Sequence, residues 1–401
     1  MGLLMTSIQS SILVVALLTQ GVAVGLTYGI LPVFLEPLEV AFDASRTQIS
    51  SGQILMMLAL TVGSITAGMF LDRGYARRVM LTGAILLILA LAAASWAPNL
   101  GVLGSAAVMA GLAVPSIGPL AAASLITRTF DEDRGRAIGV MSMGPPLGSG
   151  LFAMLSGWLL LFFDWREVYL LFSAVALVTL VPIIMLVVPP RFEVATEAAE
   201  EGPKSADSPE GMGTLLRQPT FWWSAGIFAL ATGIASGWTV HVAAYLGGLG
   251  LDEAQSSSLL AVQYWMGVPG ALVFGLLADR TSITTLFVVM LGSASAIFAG
   301  FAAGPTPLVV SGLCVVSGFV IGGVIPLYML LLGQRMGPDS LGRAMGLSNL
   351  VMLPVMAGAV LLAASNFEAE GGYGFSLLVF SAGLLAAIGC LFASNWSLRT
   401  R

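Results

Sequence analysis

The chain reads as twelve long apolar runs separated by short polar breaks. A helix needs about 20 apolar residues to cross the hydrocarbon core of a bilayer. Runs of that order fall near 10–34, 48–71, 78–96, 100–127, 135–163 and 167–189, and again near 220–246, 254–278, 283–303, 307–334, 342–365 and 373–395. Two sets of six predict an all-α membrane protein of twelve transmembrane helices in two six-helix bundles. Between the sets, residues 190–219 carry Glu193, Glu197, Glu200, Glu201, Lys204, Asp207 and Glu210 among Pro, Ala and Ser. That composition cannot bury a core and reads as a solvated linker. The expected organisation is therefore a bundle over 1–189, a linker over 190–219 and a second bundle over 220–401.

Basic residues orient the runs. An even number of spans places both termini on one side. Fourteen of the 16 Lys and Arg then share that side, and only Arg46 and Arg166 fall opposite. By the positive-inside rule the termini and the linker are cytoplasmic. Composition agrees with a membrane protein: 57% of residues are hydrophobic and 9% charged, against about 25% charged in soluble domains, and the mean hydropathy is +0.96. A net charge of −5 is too diffuse for a polyionic partner, and no nucleic-acid surface is expected. Cys314 and Cys390 both lie in apolar runs and read as buried small hydrophobes. One His and no cluster of Cys, Asp or Glu leave no metal site, no cofactor and no catalytic dyad, so an enzyme is not expected. No basic segment precedes Ile12–Leu31, which reads as a retained first helix and not a signal peptide.

The second run ends in Gly68-Met69-Phe70-Leu71-Asp72-Arg73-Gly74-Tyr75-Ala76-Arg77-Arg78, and the eighth in Gly275-Leu276-Leu277-Ala278-Asp279-Arg280. A glycine at this place lets two helices approach closely. The aspartate at a helix end can pair with an arginine or cap a neighbouring N-terminus. Gly135-Arg136-Ala137-Ile138-Gly139 before the fifth helix and Gly342-Arg343-Ala344-Met345-Gly346 before the eleventh repeat in the same order. The paired Gly-x-x-x-Asp-Arg segments resemble the loop signature of the major facilitator superfamily of transporters, and the resemblance covers essentially the whole chain. It implies two pseudo-symmetric bundles that rock about a substrate site at mid-membrane. It also implies a conformational latch formed by Gly68, Asp72, Arg73, Arg77 and Arg78, with Asp279 and Arg280 in a second copy that lacks the trailing basic residues. The plainer reading is a loop that is merely positive-inside.

Three further segments are similar to the monocarboxylate and oxalate transporter group: His241-Val242-Ala243-Ala244-Tyr245-Leu246 with Gly250 and Leu251; Leu125-Ile126-Thr127-Arg128-Thr129-Phe130; and Tyr28 to Pro32 with Phe42, Ser45, Arg46, Gln48, Ile49 and Ser50. The group is bacterial in part, which implies a bacterial cytoplasmic (inner) membrane. The chain departs from the group's pattern at its charged positions. The first-helix lysine falls near Gly29, and the aspartate and arginine of the eighth helix fall on Gly267 and Ala271. All Lys, Arg, Asp and Glu are assigned to loops or helix ends. Intramembrane ionisable groups usually mark proton or ion paths, so their absence bears on coupling.

The remaining polar residues are the candidate pocket. Gln20 and Thr27 share a face of the first helix with Tyr28 adjacent, and Gln53 lies in the second. Trp238, His241 and Tyr245 follow i, i+3, i+7 on the seventh. Gln263 and Tyr264 lie in the eighth, Tyr328 in the tenth, and Ser348 and Asn349 in the eleventh. Such amide, phenol, indole and imidazole groups can hold a small polar or weakly acidic molecule by neutral hydrogen bonds. Each also has a structural reading: glutamines join helices, and Tyr and Trp sit at interfaces. His241 is the only histidine and the one side chain that titrates near neutrality unaided. Gly21, Gly25 and Gly29 form a small-residue stripe, and Pro115, Pro119, Pro145 and Pro146 break helices. The expected function is a secondary active or facilitative carrier of a small organic solute, foremost a monocarboxylate-like acid. Facilitated diffusion, exchange and proton symport, the proton riding on the solute or on His241, all stay open. The alternative is export of apolar or drug-like compounds by proton antiport, suggested by the partial Gly-Pro-x-x-Gly at Gly144-Pro145-Pro146-Leu147-Gly148. The partners expected are the solute, protons and the lipid bilayer, and a monomer suffices.

Overall fold

The computed structural model describes residues 7–130, 134–190, 215–278, 280–336 and 341–399, with backbone only at 7, 72, 134–136, 341–343 and 396–399. The linker residues 191–214 and Asp279 lie outside the described residues. Within them every regular element is helical. Eleven helices are long and apolar enough to cross a membrane, and Pro219–Thr239 with Val242–Gly248, bent by 53°, makes a twelfth. In chain order the spans are Ile8–Phe42, Arg46–Leu71, Ala76–Ser95, Leu100–Thr129, Ala137–Leu159 and Trp165–Val187, then the bent pair, Glu253–Ala278, Ile283–Ala302, Pro307–Met336, Ala344–Glu370 and Gly374–Asn395.

The helix of the first span outruns its apolar pattern. Hydropathy ends near residue 34, but helix continues to Phe42 and carries Glu36 and Glu39 with it. Asp43 stops it in the left-handed conformation, φ 47°, which Asp tolerates better than most residues. The second span starts at once through a capping box: the Ser45 N–H donates to Gln48 Oε1 at 2.9 Å, and Gln48 N–H returns to Ser45 Oγ at 3.3 Å. Apolar content marks where the bilayer ends, whereas a helix stops where its last carbonyls find other partners.

The chain forms two compact units, Met1–Thr196 with Asp252–Ala261, and Glu197–Leu251 with Val262–Arg401. In the first unit the second span lies against the fourth, the third against the fourth and sixth, and the first against the fifth. In the second unit the seventh lies against the eleventh and twelfth, and the ninth against the twelfth. The internal repeat extends from the loops into the packing. Gly68 and Gly275, Asp72 and Asp279, Gly135 and Gly342 are each 207 positions apart (275 − 68). The same separation relates two helix crossings. A Cβ added to Gly111 would run into the Met56 carbonyl oxygen, and one added to Gly318 into the Gln263 carbonyl oxygen. Met56 and Gln263 are also 207 apart, so both units cross their second and fourth helices backbone against backbone at the same rung.

The first and fifth spans meet along the glycine stripe. Gly148 touches the Gly21 backbone, and a Cβ at Gly25 would lie 2.5 Å from the Phe152 ring and 2.6 Å from the Gly148 carbonyl oxygen. Along this seam the first span widens into a π-helical turn over Gly25–Gly29. In the second unit Gly237 fills the place of Gly25, where a Cβ would lie 2.5 Å from Ala359 Cβ. Counting on four residues from each, Gly29 corresponds to His241, where the seventh span bends. Thr27 and Thr239, two residues after Gly25 and Gly237, each donate to the carbonyl four residues back, Ala23 and Ala235, at 2.7 Å.

Candidate functional site

Gln20 owes its position to a proline in another helix. Pro145 has no N–H, so the Met141 carbonyl loses its helical donor. The helix Arg134–Met141 stops there and resumes at Gly144. The Gln20 side-chain amide donates to that carbonyl in a close hydrogen bond, and Gln20 is 1% exposed. Its nitrogen is therefore committed to holding the break in the fifth span. A carbonyl left unpaired away from water costs about 1–3 kcal/mol, so Gln20→Leu is expected to lower thermal stability by that amount. The cost should shrink in a Pro145→Ala background, whose new N–H can serve Met141. A double-mutant cycle on detergent-purified protein measures the difference; additive effects would refute the assignment. Thr27 is likewise committed, to its own helix, and Tyr28 is half-buried. Gln53 differs: it is buried, and its Oε1 has no hydrogen-bond partner among the described residues.

In the second unit Trp238 is the centre of an aromatic cluster. Tyr373 lies 5.3 Å from it, Tyr245 5.4 Å, Phe298 6.2 Å, Phe301 6.3 Å and Phe380 6.4 Å, centroid to centroid. His241 borders the cluster, fully buried, with Nε2 3.0 Å from the Val360 carbonyl oxygen. A carbonyl only accepts, so Nε2 carries the proton in this contact. Tyr245 donates its hydroxyl to the Phe301 carbonyl at 2.7 Å and packs against the Trp238 ring. Tyr328 stacks on Phe228 at 4.4 Å and shares a 2.5 Å hydrogen bond with Ser348 Oγ. Gln263 is 7% exposed, and its Oε1, like that of Gln53, has no partner among the described residues. Tyr264 is half-buried and Asn349 exposed.

The loop motif behaves differently from its expected geometry at one point. Among the described residues no close approach occurs at Gly68 or Gly275, where an added Cβ would meet nothing within 4 Å. The arginines instead serve helix ends. Arg77 donates to the Met185 carbonyl at 2.5 Å, and Arg128 to the Leu71 carbonyl at 2.8 Å. Both place positive charge at a helix C-terminus, where the backbone dipole favours it. Arg73 lies over the Phe70 ring and Arg78 over the Tyr75 ring, at 5.7 and 5.5 Å. Arg280 is exposed. The Asp72 side chain and the whole of Asp279 lie outside the described residues.

Two further arginines occupy equivalent places. Arg128 and Arg335 each precede the glycine of a Gly-Arg-Ala-x-Gly segment by seven residues. That shared spacing was the signal available in the sequence. Arg335 donates to Ser224 Oγ at 3.0 Å and to Asn395 Oδ1 at 2.7 Å, and Asn395 Nδ2 reaches Thr284 Oγ1 at 3.2 Å. One guanidinium thus ties the seventh, ninth, tenth and twelfth spans together.

Among the pocket candidates, Gln20, Thr27, Trp238, His241 and Tyr328 are held in contacts within their own units, whereas Gln53 and Gln263 each keep a buried amide oxygen without a partner among the described residues. The glycine at 29 is also more than a missing lysine. A Cβ there would lie 2.7 Å from Ser149 Cα, so the seam leaves no room for any side chain.

Relatives agree with this architecture. Monocarboxylate transporter 13 of Rattus norvegicus is 27% identical over 383 residues, covering 91% of this chain and 85% of that protein. The gallate transporter of Pseudomonas putida is 35% identical over 148 residues, 35% of this chain and 32% of that one. The crystal structure of a bacterial homolog of the human lysosomal transporter Spinster, inward-facing and unoccupied, superposes with a TM-score of 0.76 at 14% identity, covering 99% of both chains. Residues 16–360 match the Major Facilitator Superfamily, and the chain belongs to that superfamily of small-solute transporters, which are not enzymes.

Proposed function

We propose that this transporter carries a small monocarboxylate-like organic acid by alternating access, in the cytoplasmic membrane of a bacterium, as a monomer with both termini cytoplasmic. The observation that carries the substrate class is the similarity, along 91% of the chain, to a protein named a monocarboxylate transporter. The gallate transporter, also named for a carboxylic acid, supports the same class. The preponderance of Lys and Arg in the loops that share a side with the termini supports the orientation.

The chemistry suggested by the unused amides is specific. A primary amide and a protonated carboxylic acid are reciprocal partners: the acid O–H donates to Oε1 and the amide N–H donates to the acid carbonyl. Gln53 in the first unit and Gln263 in the second are each buried with Oε1 lacking a partner among the described residues, and each is by itself suited to hold such an acid in its neutral form. The proton then crosses on the solute, which gives symport without a carboxylate inside the membrane. The sign with pH follows. The neutral fraction of an acid falls about tenfold for each pH unit above its pKa, so uptake at fixed total acid should rise as external pH falls. Initial rates of labelled lactate-like acids in proteoliposomes test this. Gln53→Leu and Gln263→Leu should raise KM with little change in stability. A KM unaffected in a variant would remove that amide from solute binding.

A further inference from the structure

The first unit contains a cavity of about 270 Å³ that neither the proposed substrate chemistry nor the loop motif uses. Its shape comes from the crossing of the second and fourth spans. At Gly111 and Met56 their backbones touch. Nearer the Arg46 and Leu100 ends they part: a Cβ at Gly52 would meet nothing within 4 Å, and one at Gly104 only Leu55 Cδ1, at 3.6 Å. The cleft between them is closed behind by the first and third spans, through Leu26, Ile30 and Leu91. Leu55, on its wall, is 42% exposed.

The lining is apolar apart from four residues, and three of those are already bonded. Thr27 donates to the Ala23 carbonyl at 2.7 Å, Ser51 to the Gln48 carbonyl at 2.7 Å, and Gln48 Oε1 accepts from the Ser45 N–H at 2.9 Å. The Tyr169 phenol is the fourth. A cleft that offers so little unpaired polarity suits an occupant with no polar atoms. Its wall lies in membrane-spanning helices and includes an exposed leucine, so the apolar material at hand is the bilayer itself. We infer that this cleft is a binding site for one acyl chain of a membrane phospholipid, inserted between the second and fourth spans beside Leu55.

Photolabelling in a bilayer tests the site. The full chain is reconstituted in dioleoylphosphatidylcholine vesicles doped with a phosphatidylcholine that bears a diazirine on one acyl chain, irradiated, and mapped by peptide mass spectrometry. The expected label on the cleft residues 52–55 and 103–107 exceeds that on the exposed faces at Val62, Ile65 and Leu276 by about tenfold, equivalent to about 1.4 kcal/mol of preference. In Gly52→Leu and Gly104→Leu, each filling the cleft from a different wall, the excess should disappear, while Gly312→Leu, also in open space but in the tenth span, should keep it. Equal label on all lipid-facing helices of the wild type would overturn the inference without any variant. Label unchanged in both cleft-filling variants, or displaced by a soluble organic acid, would also overturn it.

Discussion

Gly148→Leu is expected to leave no folded transporter. The residue faces the Gly21 backbone, and the atoms in the way are a carbonyl and its Cα, not a side chain that can turn aside. Overpacking where side chains can adjust costs about 1–3 kcal/mol; here the first and fifth spans must separate, which also opens the contacts at Gly25 and Gly29 and the Gln20 bond to Met141. Membrane helices associate through close contact and not through exclusion of water, so separation of this seam has no compensating gain. Fluorescence-detected size exclusion after mild solubilisation should show loss of the monodisperse peak. Gly68→Leu, at a glycine with nothing within 4 Å, should elute as wild type. A wild-type profile for Gly148→Leu would show that the seam does not hold the bundle.

Trp238→Ala is expected to be the most destabilising truncation in the second unit, by about 3–5 kcal/mol as for other large aromatics removed from a core. Five rings from the seventh, ninth and twelfth spans and the loop that precedes the twelfth meet the indole, and each loses that contact in the truncation. Trp238→Phe preserves most ring contacts and should cost much less. The pair separates packing from solute binding. If the indole only packs, uptake by Trp238→Phe should match wild type at temperatures where the protein remains folded. Loss of uptake with unchanged melting would instead place Trp238 at the solute. A melting temperature unchanged in Trp238→Ala would contradict the packing assignment.

Much of the architecture was legible in the sequence because bilayer thickness imposes a length and hydropathy requirement on every span. The loop repeats were legible for the same reason: they sit where spans end. The glycine stripe of the first helix could be read as a contact surface, but not what it touches. Gly144, Gly148 and Ser149 lie in a different helix, and in sequence the two glycines read instead as part of a partial antiporter-like motif. The close approach expected at Gly68 and Gly275 fails because a glycine permits contact without requiring it. Among the candidate polar residues, the sequence could not distinguish Gln20 from Gln53. Both are buried glutamines; only the missing N–H of Pro145, which frees the Met141 carbonyl 121 positions from Gln20, commits the first. Arg335 was assigned only to its side of the membrane, since its role as a tie depends on Ser224 and Asn395 arriving from distant spans.

The claim that matters most is that this member of the superfamily moves a small monocarboxylic acid together with its proton. The direct measurement is uptake of labelled lactate-like acids into proteoliposomes, with an inward proton gradient and without one, against protein-free vesicles. The account predicts saturable, protein-dependent uptake that the gradient drives above equilibrium. Absence of saturable uptake across a panel of short-chain and aromatic monocarboxylates under both conditions would contradict it.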